Sequence, residues 1–573
     1  MLVIFCRMAV VKKYISSFVL AAVAVVAVLV FYAPMFAYRE GMLIFMSGAD
    51  FFIETCLRPG GLSDYVGFFI GQFFMYAAPT ALILAVILVA IQLTIRNIAK
   101  TRCDDSWADL LGTAGALAVM VAALDDNTMF GGIVAVMLAT MAALVGKITK
   151  NVVVLALIVP VVYWIAGGWC CIIYIVGVAV CIDRPKNVIS LGINGLVLTL
   201  TWLLTKKIMQ ADSLADTFTG VDTNNDNAAW FGAIAVVCAC LALSLVKITL
   251  KNRIAKTALH VVAFAVAISL IYRGYNTSRM FDYKIDRMVR LKQWGRIVET
   301  AANNKYATFM SQCYLNLALD ELGIMDSKMF SFRQLGLEGL LTSDIDSYDK
   351  SLCNSEIYFR LGLLNTSERL AIDAMESNDN HIKSARQYKR LAEINIIRDN
   401  KPLAMRYLKK LQRTMFYSAW ADRAVQYLYD PTHTEALADW KIKPLDMERD
   451  FFFPEKHKTE LMVNLLANNP TNRRVFNYYV GCLLLTRDIP KMYRLLKYYR
   501  PEGELGVHVY EATLLYLFNN DKAEFEKAMS QPNDLTARFE KFGNFMASPE
   551  SKNVEKAHQL FGNTYWYYYY FEK

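Results

Sequence analysis

The stretch Ile254–Tyr272 reads IAKTALHVVAFAVAISLIY, and it separates two parts of the chain that differ in composition. It is almost entirely apolar, with Lys251, Arg253 and Lys256 at its start and Arg273 at its end. About 20 residues of α-helix cross the hydrocarbon layer of a bilayer, so this stretch predicts a membrane span. Apolar runs recur before it, whereas no run of membrane length follows it. We therefore interpret it as the last span of a membrane half.

The composition supports this division. The 573 residues are 55% apolar and carry a formal net charge of +9, which is too apolar for one soluble domain of this size. In the first half the lysines and arginines gather between apolar runs, a placement typical of membrane orientation rather than of nucleic-acid binding. We predict a polytopic transmembrane domain at residues 1–273, a soluble helical domain at residues 274–573, and no nucleic-acid partner.

Apolar runs in the first half predict about nine spans. They fall at about 14–37, 65–95, 107–124, 129–146, 151–167, 168–182, 187–205, 229–247 and 254–272. The fifth and sixth are continuous except for Gly167-Gly168, which favours a tight hairpin there. Either Met1 or Met8 would serve as the first residue of translation, because Lys12 and Lys13 precede the first run in both cases.

Charge decides the number of crossings. With the N-terminus inside and two crossings in Asn151–Ile182, the basic clusters all face one side, as the positive-inside rule requires. These clusters are Arg7/Lys12/Lys13, Arg96/Lys100/Arg102, Lys147/Lys150, Arg184/Lys186 and Lys247/Lys251/Arg253/Lys256. One crossing in Asn151–Ile182 would send the last cluster outside. The prediction is therefore a bacterial inner-membrane protein with a cytoplasmic N-terminus and a periplasmic C-terminal domain.

Two predicted outer loops carry charged residues. The first, Tyr38–Asp64, holds Glu40 with Arg39 and Arg58, and the second holds Asp125-Asp126. One interpretation is solvated loop charge and turn chemistry. The other is an acidic site at the outer membrane face. Charged residues are otherwise nearly absent from the span interiors, which disfavours transport, and His260 in the last span is interpreted as a packing or hydrogen-bonded residue.

The second half has the periodicity of amphipathic helices and contains a recurring spacing of an aromatic residue, two others, leucine, and then alanine or glycine. In two copies an alanine follows twelve residues later. This spacing resembles the tetratricopeptide repeat, and it predicts an α-solenoid, with a non-repeating helical bundle as the alternative. The predicted repeat core is Tyr314, Leu317, Ala318, Tyr358, Leu361, Gly362, Ala374, Tyr388, Leu391, Ala392, Ala404 and Leu408. The whole chain is thus predicted to be all-α.

The chain also resembles a family of uncharacterised membrane proteins of Bacteroidota that pair a polytopic N-terminal half with helical repeats. The resemblance is carried by the Pro59-Gly60-Gly61 loop, the segment from Asn316 to Gly323 leading to Met329-Phe330, and the Arg386–Arg413 repeat. It covers most of the chain and implies no activity.

Two functions remain open from the sequence. In the first, a membrane-anchored scaffold binds a periplasmic protein or peptide through its repeats, with membrane lipids as its other partners. In the second, the layout resembles glycosyltransferases that use lipid-linked sugars, which would make Glu40 a base, Asp125 and Asp126 a second acidic group, and Arg39 and Arg58 binding residues. No metal site is predicted, no enzyme motif supports catalysis in the soluble half, and the sequence leaves any cofactor undetermined.

Overall fold

The computed structural model describes residues 14–183, 185–209, 214–220, 227–246, 252–302, 308–342, 347–377, 383–430, 457–499, 503–531 and 533–572. Within these ranges every regular element is helical and none is a strand, which confirms the all-α prediction. Both possible start residues and several of the basic residues used for the topology lie outside the described residues. These are Met1, Met8, Arg7, Lys12, Lys13, Arg184, Lys247 and Lys251.

Apolar helices dominate the N-terminal half. Seven of the described helices, α1, α4, α5, α6, α7, α8 and α11, are long and apolar enough to cross a membrane, which indicates a membrane protein. The shorter helix α10 is also apolar. The helices are α1 (Ile15–Glu40), α2 (Ala49–Cys56), α3 (Gly61–Gly71), α4 (Ala77–Ala99), α5 (Asp105–Ala123), α6 (Phe130–Ile148), α7 (Val152–Cys181), α8 (Lys186–Met209), α9 (Leu214–Thr219), α10 (Ala228–Leu243) and α11 (Arg253–Gly274).

The predicted second run, 65–95, is two helices rather than one. Helix α3 ends in a 3-10 turn at Gln72–Met75, and α4 begins after the extended residue Tyr76. Pro79 explains the break, because a residue without an amide hydrogen suits the first turn of a helix and not its middle. Helix α3 packs closely on α6: a Cβ atom added to Gly67 would lie 2.7 Å from the Cα of Gly131. The two helices therefore approach each other closely at a pair of glycines.

Helix α7 reverses direction at Gly167. That residue has φ 76° and ψ 169°, which interrupts the helical backbone and favours glycine. The hydroxyl of Tyr174 donates to the carbonyl oxygen of Leu155 at 2.9 Å, although 19 residues of continuous helix would separate them by about 28 Å. The two halves of α7 therefore lie side by side, as the glycine pair predicts.

The membrane half has two chemically different ends. At one, Lys150 and Arg102 pair with Asp183 at 3.0 and 3.1 Å, and the hydrogen bond from Lys150 lowers the pKa of Asp183. Lys147 donates to the Asn97 side chain at 2.7 Å. We call this the basic end. At the other, which we call the loop end, the Tyr38–Asp64 loop contacts the turn of α7: the Trp164 indole donates to the carbonyl oxygen of Cys56 at 2.8 Å.

Short helices, many of them in consecutive pairs, make up the C-terminal half. Two of these pairs lie at Arg473–Tyr498 and Val507–Met529. The helices are α12 (Thr277–Arg290), α13 (Trp294–Ala302), α14 (Phe309–Glu321), α15 (Met325–Lys328), α16 (Tyr348–Leu361), α17 (Leu364–Glu376), α18 (Ala385–Ile397), α19 (Lys401–Gln412), α20 (Ser418–Tyr429), α21 (Lys458–Asn468), α22 (Arg473–Leu485), α23 (Ile489–Tyr498), α24 (Val507–Asn520), α25 (Lys522–Met529), α26 (Asp534–Ala547), α27 (Val554–Phe561) and α28 (Tyr565–Phe571).

The residues predicted for the repeat core are all buried. They lie in α14, α16, α17, α18 and α19, apart from Gly362, which follows the last residue of α16. Between α14 and α16 the described residues form only the four-residue α15 and two 3-10 turns, so the first copy has no regular partner helix among them. The aromatic C-terminus forms α28, where Tyr565 and Trp566 are fully buried.

Contacts divide the chain into two compact units. Unit 1 contains Met1–Asn276 together with Asp379–Tyr388 and Leu408–Asp422. Unit 2 contains Thr277–Asn378, Lys389–Tyr407 and Arg423–Lys573. Two stretches of the C-terminal half therefore pack within the same unit as the apolar helices.

Candidate functional site

The first outer loop is a folded part of unit 1. After α1 the chain runs without regular structure to Gly48, forms α2, turns at Pro59-Gly60-Gly61 and enters α3. The backbone amide of Gly60 donates to the carbonyl oxygen of Trp164 at 2.9 Å. The hydroxyl of Ser63 donates to the carbonyl oxygen of Ile165 at 2.7 Å. The start of α3 is thereby fixed against the turn of α7.

A small cavity at the loop end brings together three charged side chains from three parts of the sequence. Arg39 comes from α1, Asp64 from α3, and Asp126 from the turn before α6. Asp64 is 1% exposed and its carboxylate pairs with the guanidinium of Arg58 at 2.9 Å. Apolar residues complete the lining: Met42, Leu43, Phe68, Phe74, Met129 and Phe130. We call this the loop-end cavity.

Arg39 and Asp125 have structural partners at this cavity. The Arg39 guanidinium donates to the backbone carbonyls of Ala123 and Asp125, at the C-terminal end of α5 where the carbonyl groups attract positive charge. The Asp125 side chain accepts from the backbone amide of Asn127 at 3.0 Å, which is the turn chemistry expected of an aspartate at this position. Asp126 is the member of the acidic pair that lines the cavity.

Glu40 points to a different place. Its side chain is 4% exposed, and it lines a separate small cavity together with Gln72, Ala385, Thr414 and Tyr417. The structure therefore groups Arg39 and Asp126 with Asp64, and it places Glu40 beside the two later stretches of unit 1.

The stretches Asp379–Tyr388 and Leu408–Asp422 contact the predicted first outer loop. The Arg413 guanidinium pairs with both Asp50 carboxylate oxygens, at 2.8 and 2.5 Å, and donates to the carbonyl oxygen of Ser47 at 2.8 Å. The hydrogen bond from Arg413 lowers the pKa of Asp50. Nearby, the backbone amide of Ala385 donates to the carbonyl oxygen of Leu43 at 3.1 Å. Asp50, predicted as loop charge, is thus half of a bidentate ion pair.

In unit 2 a chain of ion pairs links three alternate helices, α14, α16 and α18. Arg360 of α16 pairs with Glu356 at 3.1 Å and contacts Glu321 of α14 at 3.7 Å. Arg390 of α18 pairs with Glu356 and with Glu393, the latter at 3.1 Å. These five side chains, which we call the charged ladder, are only 8–14% exposed. The ladder places α14, α16 and α18 beside one another.

The ladder continues to α22. Arg474 pairs with Asp320 at 2.6 Å and with Glu321 at 3.0 Å. Burial raises the pKa of Asp320 to about 7, although the positive charge of Arg474 opposes this effect. Lys292 lies beside the ladder, where burial lowers its pKa. Over the part of the chain that the structure describes, no group of three His, Cys, Asp or Glu side chains is placed to hold a metal ion.

Comparison with known proteins gives a family and no activity. The family described as "Family of unknown function (DUF6057)" matches residues 9–572. The chain belongs to this family. No curated protein and no solved structure matches the chain. The predicted membership of an uncharacterised family covering most of the chain is confirmed at that level. For this DUF6057 protein, function must therefore be argued from the geometry of its sites.

Sequence reasoning missed two residues of this DUF6057 chain. On the sequence, Asp64 marks only the end of the predicted first outer loop. Its position as an acidic residue in the first turn of α3 is a usable signal. Arg413 was counted within a repeat, and nothing in its local sequence indicates a partner 363 residues away. Both form ion pairs that depend on the packing of distant segments.

Proposed function

We propose that the protein is a scaffold of the bacterial inner membrane whose helical repeats bind a protein or peptide. The observation that carries this proposal is the charged ladder, which aligns α14, α16 and α18 along one surface of unit 2. In tetratricopeptide-like solenoids, corresponding helices of successive repeats line up in this way and form an extended binding surface. Ladder residues restrain each other, so the surface is preorganised for a ligand.

The chemistry beside the ladder favours an acidic peptide. Lys292 and Lys389 lie next to it, and their charges act on each other as well as on Arg360. Together with Arg360 and Arg390, these lysines exceed the three glutamates of the ladder by one positive charge, and this excess favours a ligand that carries carboxylates.

In our proposal the chain crosses the membrane nine times, which places this surface in the periplasm. The reversal at Gly167 supports counting α7 as two crossings, and α10 supplies one more beyond the seven long helices. Each half of α7 has about 15 residues, which tilt or local thinning of the bilayer accommodates. With the basic end in the cytoplasm, α11 leads outward to the repeats.

Site-specific photo-crosslinking in intact cells tests the scaffold proposal. A photoreactive amino acid in place of Lys389 should give a discrete adduct with a second polypeptide, since this side chain is 37% exposed beside the ladder. Lys527 is the matched control, because it is an exposed lysine paired with a glutamate of its own helix α25. Adducts of equal yield at both positions, or none at Lys389, would contradict the proposal.

A second candidate, a membrane enzyme with a lipid-linked donor, is favoured by the loop-end cavity. Asp64 and Asp126 supply carboxylates and Arg39 supplies a planar cation suited to phosphate. The apolar lining suits the chain of a lipid donor. In this candidate Asp126 is the reactive carboxylate, Glu40 lies at the neighbouring cavity, and Arg58 pairs with Asp64.

Complementation of a gene deletion tests the enzyme candidate. We expect Asp126→Asn to reach normal membrane levels and to lose about a hundredfold in activity or more, the lower end of the range for removing an acid–base group. Asp125→Asn keeps the turn acceptor and should complement. Glu40→Gln distinguishes a base at the neighbouring cavity from one at the loop-end cavity. Full complementation by both Asp126→Asn and Glu40→Gln would leave only the scaffold.

A further inference from the structure

A buried polar cluster lies between the apolar helices at the basic end. Its centre is Asp109 of α5, whose side chain is 6% exposed. One carboxylate oxygen accepts from the hydroxyl of Ser16 in α1 at 2.9 Å and pairs with Arg96 of α4 at 3.1 Å. The other oxygen faces two groups of α11, Nε2 of His260 at 3.3 Å and Nζ of Lys256 at 3.8 Å. Four candidate spans therefore meet at one carboxylate.

The contacts of His260 determine where its hydrogens lie. Nδ1 is 2.9 Å from the backbone carbonyl oxygen of Lys256. A carbonyl oxygen only accepts, so Nδ1 must carry a hydrogen. In a neutral ring Nε2 would then carry a lone pair and no hydrogen. Nε2 is buried and makes no hydrogen bond among the described residues. The Asp109 carboxylate lies 3.3 Å from it.

A neutral His260 ring would leave the buried Nε2 lone pair without a donor, 3.3 Å from the Asp109 carboxylate, which is electrostatically unfavourable. A proton on Nε2 removes this conflict, because the ring becomes an imidazolium paired with the carboxylate. The proton belongs on the ring and not on the carboxylate, since Arg96 and Lys256 both stabilise ionised Asp109 and the Ser16 hydroxyl donates to it.

We propose that Asp109 and His260 form a proton-binding site at the basic end of the membrane half. The ligand is one proton, taken from water onto Nε2 of His260, and no other reactant is needed. The charged and titratable groups around the site on every helix packed against it are Arg96 and Lys100 at the end of α4, Asp105 and Asp109 on α5, Lys256 on α11, and Tyr14, whose ring faces Arg96 before α1.

The site also joins α11 to the other helices. Only 6% of the most apolar window of α11 is buried, far less than in α4 or α5, so apolar packing fixes this helix weakly. The ion pair between His260 and Asp109 supplies a specific attachment. Loss of the proton would remove this ion pair, and the 3.8 Å contact of Lys256 would then be the remaining charged link between α11 and Asp109.

Nitrogen NMR of the full chain in lipid vesicles tests this proposal. With histidine labelled by ¹⁵N and the His260 signals assigned from a His260→Gln sample, both ring nitrogens of His260 should be protonated at pH 7.0. The five other histidines of the chain serve as internal references. A neutral His260 ring at pH 7.0 would overturn the proposal without any further variant.

Asp109→Asn is the matched variant for the proton. It keeps the shape of the side chain but offers an amide N–H to Nε2, so His260 should become neutral with hydrogen on Nδ1 only. An imidazolium that persists in Asp109→Asn would show that the carboxylate does not hold the proton. If this variant fails to fold, the protonation state of the unmodified chain still decides the matter.

Discussion

Replacing Gly67 by leucine is expected to prevent the membrane half from folding. A Cβ atom at this position would lie 2.6 Å from the backbone nitrogen of Gly131 and 2.7 Å from its Cα, closer than real Cβ atoms approach. The obstructing atoms belong to the backbone of α6, so no side chain can rotate away. We expect a loss of about 3 kcal/mol or more, the upper range for overpacking. The variant should lose most of its monodisperse protein in size-exclusion chromatography.

Gly192→Leu is the control for that change. Gly192 lies in α8, and no atom comes within 4 Å of a Cβ added there. The same substitution in another apolar helix should therefore leave yield and melting temperature unchanged. Equal behaviour of the two variants would mean that α3 and α6 do not pack through these glycines.

Reporter fusions at either end of α11 should give opposite results. Alkaline phosphatase, which is active only outside the cytoplasm, should be active after Arg273 and inactive after Lys256. The expected difference is close to all-or-none, because a fusion point lies either before or after the last crossing. Green fluorescent protein at the same two points should give the reverse pattern.

The fusion experiment depends on α7. If its two halves count as one crossing, every later loop changes side, and the fusion after Arg273 becomes inactive. That outcome would contradict nine crossings and would place the repeats in the cytoplasm. The paired reporters separate this result from a fusion that simply fails to accumulate.

Local features of the fold were predictable from the sequence. Apolar runs located the long helices because burial in lipid requires about 20 consecutive apolar residues. The break in α7 followed from Gly167-Gly168 together with the charges on either side. The division of 65–95 into α3 and α4 was missed, because an apolar run does not show where the backbone turns inside it.

The candidate sites were predictable only in part. Arg39 and Asp126 were identified from their positions next to spans, but their grouping with Asp64 depends on how α1, α3 and α6 pack. The cluster around Asp109 depends in the same way on four helices that are distant in sequence. Sequence periodicity gives the buried face of a helix, and it does not give the partner of that face.

Unit 1 includes residues that are made well after its apolar helices, and this sets a minimum time for its assembly. The apolar helices end at Gly274, whereas the stretch that pairs with Asp50 reaches Asp422. At about 5–20 residues per second, the ribosome needs roughly 7–30 s to make the intervening chain. During that interval Arg413 has not yet been made, so Asp50 and the Ser47 carbonyl group lack this partner. The loop therefore reaches its final structure long after α1 has been made.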